Sequence, residues 1–188
     1  SQIVEGGCGL GQYVHLLNKA GFKVTGVDFA SKTVQRIQET YPQLDIRFDD
    51  LTDLSFNNSQ FDGYWSFGVI EHFYNGYHPI AAEMKRVLKT GGYLFMTVPT
   101  MSWLRKKLAE NGHYQIYEER ADLKENFYQF ALDPYVIVKD FESLGFELCE
   151  MKPLGGLKGF KDEINFGNTF LQKIFDSQNL IVKILKKF

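Results

Sequence analysis

The sequence contains little cysteine and no long apolar run. Two cysteines, Cys8 and Cys149, occur in 188 residues, and they are too few and too far apart for a disulfide framework. We therefore expect a reducing, cytoplasmic environment. No apolar stretch approaches the roughly 20 residues of a transmembrane helix, and no signal peptide is visible. Because the chain begins inside a predicted strand, we expect part of its natural N-terminus to be missing.

Histidine is scarce and neither sign of charge dominates. The four histidines are scattered, without a His-x-x-His or Cys-x-x-Cys pair, so no metal site is predicted. The formal net charge is −2, which gives no reason to expect nucleic acid or an anionic membrane as the main partner. An apolar content of 44% and a charged content of 23% are typical of a globular protein, here predicted as one domain over residues 1–188.

The first hundred residues alternate between strand and helix signals. A helix is predicted over residues 79–89, ended by the glycines at 91 and 92. Asp133 and Pro134 are the cap and first residue of a later helix. This order predicts an α/β, Rossmann-like, doubly wound sheet with helices on both faces. The predicted strands are 2–5, 23–28, 45–48, 61–66 and 93–98, with a last strand at 146–151.

The glycine-rich stretch Glu5-Gly-Gly-Cys-Gly-Leu-Gly11 follows the first strand directly. A strand, a tight turn and a helix start offer backbone N–H groups to an anionic ligand. Gln12 stands where a dinucleotide fingerprint has its third glycine. Asp28 ends the second strand, where an acid binds ribose hydroxyls of any adenosine-containing ligand. The glycine loop alone therefore does not identify the ligand. A tight turn that only packs the strand against the helix remains an alternative.

Later motifs follow in register, and together they identify a family. Asp49-Asp-Leu-Thr-Asp-Leu-Ser-Phe56 comes first, then Phe61-Asp-Gly-Tyr-Trp-Ser66, Val69-Ile-Glu-His-Phe73 and Glu83-Met-Lys-Arg-Val-Leu-Lys-Thr-Gly-Gly92. With the glycine loop, residues 2–99 resemble the class I S-adenosylmethionine-dependent methyltransferases, in the broad group that methylates small molecules. Residues 141–148 are similar to the segment before that fold's sixth strand. The resemblance therefore implies a mostly parallel sheet with an antiparallel last strand.

The resemblance also implies roles for residues at the strand ends. Glu5 would order the glycine loop and the amino end of the cofactor, although this chain has Gly6 where the family has an apolar residue. Asp28 would accept hydrogen bonds from both ribose hydroxyls. Asp50 would accept one from the adenine amino group, and Asp49 is the alternative residue for that role. The implied cofactor-binding residues are Glu5, Gly7, Cys8, Gly9, Gly11, Asp28, Phe29, Asp50, Leu51, Ser66 and Phe67.

Methyl transfer from a sulfonium depends mainly on alignment, and a base is needed only when the acceptor must lose a proton. His72, just after the fourth strand, is the candidate base, and its alternative role is to brace the following helix with Glu71. Residues 100–135 are the predicted substrate or lid insert, between a cofactor-binding half (1–99) and a C-terminal part (136–188). Its candidate substrate residues, for which ordinary packing is the alternative, are His113, Tyr114, Tyr117, Tyr128 and Phe130.

The sequence thus predicts methyl transfer from S-adenosylmethionine to the oxygen or nitrogen of a small or medium-sized acceptor. S-adenosylhomocysteine would be the product, with no metal involved. An NAD-dependent oxidoreductase is the alternative enzyme, disfavoured by Gln12 and by the motifs of residues 49–72. A non-catalytic S-adenosylmethionine-binding partner subunit is the alternative from another class. The acceptor and the oligomeric state stay open.

Overall fold

A computed structural model describes residues 1–114 and 121–154. These residues group into two compact units. The first consists of residues 1–100 and 121–146 and holds the whole sheet. The second consists of residues 101–114 and 147–154 and holds one helix.

The sheet has five strands in the order β3-β2-β1-β4-β5, and every pairing in it is parallel. The chain starts in the middle, winds to one edge, and then returns to fill the other side. This confirms the predicted Rossmann-like topology, in which ligands bind near the point where the strand order reverses. The strands are β1 (Gln2–Gly6), β2 (Lys23–Asp28), β3 (Asp45–Phe48), β4 (Phe61–Phe67) and β5 (Leu88–Thr97).

Helices pack on both faces because successive residues of a strand point to opposite sides. Ile3 joins an apolar cluster with the helices that follow β1 and β2, whereas Val4 joins a cluster with the helix before β5. Asp133 caps the last helix through the Tyr135 amide, as predicted. The helices are α1 (Gln12–Lys19), α2 (Ser31–Thr40), α3 (His78–Val87), α4 (Trp103–Glu110), α5 (Ala121–Glu125) and α6 (Pro134–Ser143), with a 3₁₀ turn at Ile70–His72.

The predicted antiparallel last strand is wrong for the part of the chain that the structure describes. Residues 146–151 form no strand there, and all five strands run parallel. Leu148 and Met151 are about half exposed, and the apolar residues of this stretch do not alternate regularly with polar ones. It therefore has no apolar face that would hold a strand in one register.

The boundary between α3 and β5 also differs from the prediction. The helix ends at Val87, and the strand begins at once with Leu88, which pairs with Phe61. The two glycines predicted to stop the helix lie inside β5, where its register against β4 shifts. Burial of Leu88 against β4 thus replaces two further residues of helix.

One glycine at the end of β1 fits a tyrosine of the neighbouring strand. A Cβ atom at Gly6 would collide with the hydroxyl of Tyr64, which is completely buried. That hydroxyl has no hydrogen-bond partner among the described residues. Gly6, which stands where the family has an apolar residue, therefore makes room for the tyrosine.

We predict that Gly6→Ala lowers the free energy of unfolding by about 1–3 kcal/mol, because the added methyl group overpacks a filled site. Urea denaturation of the variant and the wild type measures the difference. Tyr64→Phe is the matched change, and it should cost little because it removes a buried hydroxyl that no described residue bonds. A Gly6→Ala variant as stable as the wild type would contradict the fit of Gly6 to Tyr64.

Candidate cofactor and active site

The glycine loop between β1 and α1 is fixed by backbone hydrogen bonds. Gly7 and Cys8 donate to the Val27 carbonyl at 2.9 and 3.0 Å, and Gly11 donates to the Cys8 carbonyl at 2.8 Å. Gly7, Gly9 and Gly11 have φ values of 73°, 50° and 71°. Residues with a Cβ rarely adopt this left-handed conformation, so the turn itself requires the three glycines.

The three glycines differ in what surrounds them. A Cβ at Gly7 would lie 2.5 Å from a methyl group of Val69, and one at Gly11 would collide with Ile46. A Cβ at Gly9 would meet no atom within 4 Å in the described part of the chain. Packing therefore demands glycine at the first and third positions, whereas Gly9 leaves its backbone open to an approaching ligand.

Asp28 at the end of β2 holds this loop in place. Its Oδ2 accepts the Gly9 amide at 2.8 Å, and its Oδ1 accepts the Ala30 amide at 2.9 Å. The side chain is buried, whereas the ring of the adjacent Phe29 is 69% exposed. A carboxylate oxygen has two lone pairs, so each oxygen retains the capacity to accept a ribose hydroxyl.

Glu5, in β1, is a buried carboxyl group close to the loop. Its Oε2 has no hydrogen-bond partner within residues 1–114 and 121–154. Burial raises its pKa to about 7, the Val14 backbone amide lowers the pKa, and the charge of Asp28 raises it. Because an unpaired buried polar atom is costly, Glu5 is suited to receive a hydrogen-bond donor from a ligand.

Two further predicted residues follow in β4. The hydroxyl of Ser66 is buried and, in the described chain, without a partner. The ring of Phe67 packs edge-on against Tyr13 at 4.9 Å.

Cys8, in the glycine loop, has a pKa raised to about 12 by burial and by the charges of Glu5 and Asp28. A thiol of this kind is a poor nucleophile.

The structure separates the two neighbouring acids after β3. Asp49 is buried and accepts the Ser55 amide and hydroxyl at 3.0 and 3.1 Å. Asp50 is exposed, and its Oδ1 accepts the Thr52 amide and hydroxyl, both at 2.8 Å. These two bonds hold the pKa of Asp50 below its usual value. Asp49 therefore maintains the loop, Asp50 faces solvent, and the adjacent Leu51 side chain is buried.

His72 lies at the end of the 3₁₀ turn, with its ring exposed. Its Nδ1 is 2.7 Å from the backbone carbonyl oxygen of Tyr128, and the two rings are 5.1 Å apart at 74°. A carbonyl oxygen can only accept a hydrogen bond, so Nδ1 must carry the proton. The lone pair of neutral His72 is then on Nε2.

A second contact ties the segment around residue 128 to this turn. The Phe130 amide donates to the Glu71 carbonyl at 2.9 Å. Phe127 packs against Phe130 at 4.4 Å and against Tyr74 at 5.0 Å. Of the predicted substrate residues, Tyr128 and Phe130 are thus brought beside His72. Tyr74 and Phe127 were missed, although the aromatic residues directly after His72 were a visible signal.

Three other predicted substrate residues remain, and none of them belongs to the described part of the first compact unit. His113 and Tyr114 are exposed residues after α4, within the second compact unit. Tyr117 lies outside the described residues.

In the described ranges, no three His, Cys, Asp or Glu side chains converge as a metal site requires. None of the described helices is long and apolar enough to cross a bilayer.

The raised pKa of Glu5 predicts a pH-dependent stability. From about pH 4.5 to about pH 7, folded Glu5 keeps a proton that the unfolded chain has released. The free energy of unfolding should therefore fall as the pH rises through this range. Between pH 5 and pH 8 this fall should be smaller in Glu5→Gln than in the wild type by about 1–3 kcal/mol. Urea titrations at both pH values measure it, with the exposed Glu39→Gln as control. Equal pH dependence in Glu5→Gln and wild type would refute the assignment.

Comparison with known proteins agrees with this geometry. Residues 4–96 match the family described as a methyltransferase domain. A protein of Mycolicibacterium smegmatis, named a probable S-adenosylmethionine-dependent methyltransferase, is 32% identical over 97 residues. The match covers 52% of this chain and 37% of that protein, so the chain spans little more than a third of its curated relative's length.

Solved structures show the same fold. An S-adenosylmethionine-dependent methyltransferase of Methanosarcina mazei superposes with a TM-score of 0.67 at 21% identity, covering 79% of this chain and 81% of that one. A Haloferax volcanii methyltransferase, in complex with the Trm112 methyltransferase activator, gives 0.62 at 20% identity, covering 79% and 62%. Within residues 4–96, with their glycine loop, strand-end acids and parallel sheet, the chain thus has the sequence and fold of a methyltransferase domain.

Proposed function

We propose that the protein transfers the methyl group of S-adenosylmethionine to an oxygen or nitrogen of a small or medium-sized acceptor. Two observations carry this proposal. The space beside Gly9, next to the carboxylate of Asp28, is open, and a buried oxygen of Glu5 has no hydrogen-bond partner in the described part of the chain. When bound, the cofactor supplies an electrophilic methyl group on a sulfonium. The residues present fit a ligand that carries an ammonium group and ribose hydroxyls.

Each residue at the carboxyl edge of the sheet then has a separate binding task. Glu5 and Ser66 accept hydrogen bonds at the methionine end, where Gly7, Cys8, Gly11 and Phe67 shape the site. Asp28 accepts the ribose hydroxyls. Asp50 accepts a hydrogen bond from the adenine amino group, and the Leu51 amide donates one to a nitrogen of the adenine ring. Phe29 lies against that ring. Supporting this division, Asp50 is exposed while Asp49 is already bonded to Ser55.

His72 is the proposed general base. Its Nδ1–H bond to the Tyr128 carbonyl fixes the ring and leaves Nε2 as the basic atom. A hydroxyl acceptor would lose its proton to Nε2 as methyl transfer proceeds, whereas a protonated amine would lose it before its nitrogen attacks. The exposed ring of Tyr128 and the aromatic residues behind it favour an acceptor with an apolar or aromatic body.

The competing functions are separable by experiment. Calorimetry with S-adenosylmethionine, S-adenosylhomocysteine and NAD distinguishes a methyltransferase from an oxidoreductase, and binding of NAD alone would refute the proposal. Labelled methyl transfer to a metabolite extract distinguishes an enzyme from a binding subunit. The Haloferax volcanii methyltransferase was solved with an activator, so an absence of transfer by the isolated chain would favour a partner-dependent role.

We predict that Asp28→Ala weakens binding of S-adenosylhomocysteine at least about tenfold, because hydrogen bonds to a charged group contribute roughly 1.5–3 kcal/mol. Isothermal titration calorimetry measures the affinity. Asp62→Ala is the matched control, since Asp62 also accepts a backbone amide, that of Gln2 at 2.7 Å, but at the start of β4. Unchanged affinity in Asp28→Ala would refute the ribose assignment.

We predict that His72→Asn lowers kcat by about 10²–10⁴-fold and leaves cofactor affinity within about twofold, because asparagine can still donate to the Tyr128 carbonyl but has no basic nitrogen. His15→Asn, on α1, is the control. Nitrogen-15 NMR of the wild type should show the proton of neutral His72 on Nδ1. A rate equal to wild type would leave His72 with a bracing role only.

A further inference from the structure

Two charged residues of α3 hold the loop that follows β3. Arg86 donates through Nη1 to the Phe56 carbonyl at 2.6 Å and to the Asn58 side chain at 2.9 Å. Its Nη2 donates to the Leu54 carbonyl at 2.7 Å. Glu83 Oε2 accepts the Leu54 amide at 2.7 Å. Both backbone groups of Leu54 are therefore bonded to α3.

Glu83 and Arg86 also form an ion pair with each other through two hydrogen bonds. Arg86 Nε is 2.7 Å from Glu83 Oε1, and its Nη2 is 2.6 Å from Oε2. The pairing lowers the pKa of Glu83 and raises that of Arg86. Such a two-point pair fixes the plane of the guanidinium group, and with it the direction of the remaining N–H groups.

The clamped loop is the one that carries the proposed adenine site. Asp50 and Leu51 lie between β3 and the clamped residues 54–58. Inside this stretch, the Asp53 amide donates to the Asp50 carbonyl at 3.1 Å, and Asp49 bonds Ser55. The loop is thus a short arch, with one end continuous with the sheet and the other end fixed by α3.

We infer that Glu83 and Arg86 are positioning residues for the adenine end of the cofactor site. They hold the far end of the arch so that the Asp50 carboxylate and the Leu51 amide keep their places; this inference rests on the proposed function. It also gives a reason for Glu83 and Arg86 within the motif of residues 83–92. Residues three apart lie on the same face of a helix, while Met84 and Val87 face the apolar core.

Lysine cannot replace Arg86 in this role. A lysine at that position keeps a charge for Glu83, but its single nitrogen lacks the planar fork that reaches two backbone carbonyls as well. Arg86→Lys therefore separates the ion pair from the loop contacts. Lys89→Met is the matched control, because Lys89 forms a 2.6 Å ion pair with Asp62 just after α3 and touches no part of the arch through that pair.

The test compares S-adenosylhomocysteine with its deaminated analogue S-inosylhomocysteine by calorimetry. The wild type should prefer the adenine compound at least about tenfold, since the analogue lacks the amino group that Asp50 accepts. Arg86→Met should reduce this preference to less than about threefold, Arg86→Lys should have an intermediate effect, and Lys89→Met should leave it unchanged. An Arg86→Met variant that retains the full preference would overturn the inference.

Amide hydrogen exchange tests the clamp without any ligand. The Leu54 amide should be protected in the wild type and should exchange at least about tenfold faster in Arg86→Met and Glu83→Ala, with core strand amides unchanged. Equal Leu54 exchange in all three proteins would overturn the inference. A wild type that binds neither compound would instead contradict the proposed function, while the exchange result would still decide whether the clamp exists.

Discussion

The two backbone hydrogen bonds accepted by Asp28 fix the geometry on which the site depends. They join the end of β2 to the glycine loop at Gly9 and to the residue before α2 at Ala30. Parallel strands bring their carboxyl ends to one edge, but that alone would leave the loops free to move. Because one carboxylate holds two loops, any ligand that bonds to it is placed relative to both.

Buried polar groups at this edge of the sheet lower the stability of the free protein, and packing elsewhere must offset that loss. Glu5 is buried near Asp28, and one oxygen each of Glu5 and Ser66 lies inside the protein without a hydrogen-bond partner among the described residues. Such groups destabilise the free protein, whereas the packing of Val69 and Ile46 around the loop glycines opposes that effect. A ligand that supplies donors to these oxygens gains binding energy from groups that folding left unsatisfied, which is typical of a functional site.

Sequence patterns predicted what depends on local order, and they failed where a distant strand decided the outcome. Five strands and the Asp133 cap follow from apolar periodicity and local hydrogen bonding. The glycine pair at 91 and 92 is a helix stop in local terms, but pairing of Leu88 with Phe61 starts the strand first. Likewise, the fit of Gly6 to Tyr64 and the different roles of Asp49 and Asp50 depend on contacts that spacing does not show.

The turn after β4 braces residues 127–130, whereas the sequence predicted a brace for the helix that follows the turn. This brace is compatible with the proposed catalytic role of His72. Glu71 braces the 127–130 segment through its backbone carbonyl, which leaves its side chain out of that contact. His72 uses Nδ1 for the same purpose, which leaves Nε2 for the proposed proton transfer. The Nδ1 bond therefore orients the proposed base, because it limits rotation of the imidazole ring. A change in that segment would alter both the direction of Nε2 and the exposed aromatic surface beside it, so in the proposed mechanism the rate and the acceptor specificity would change together.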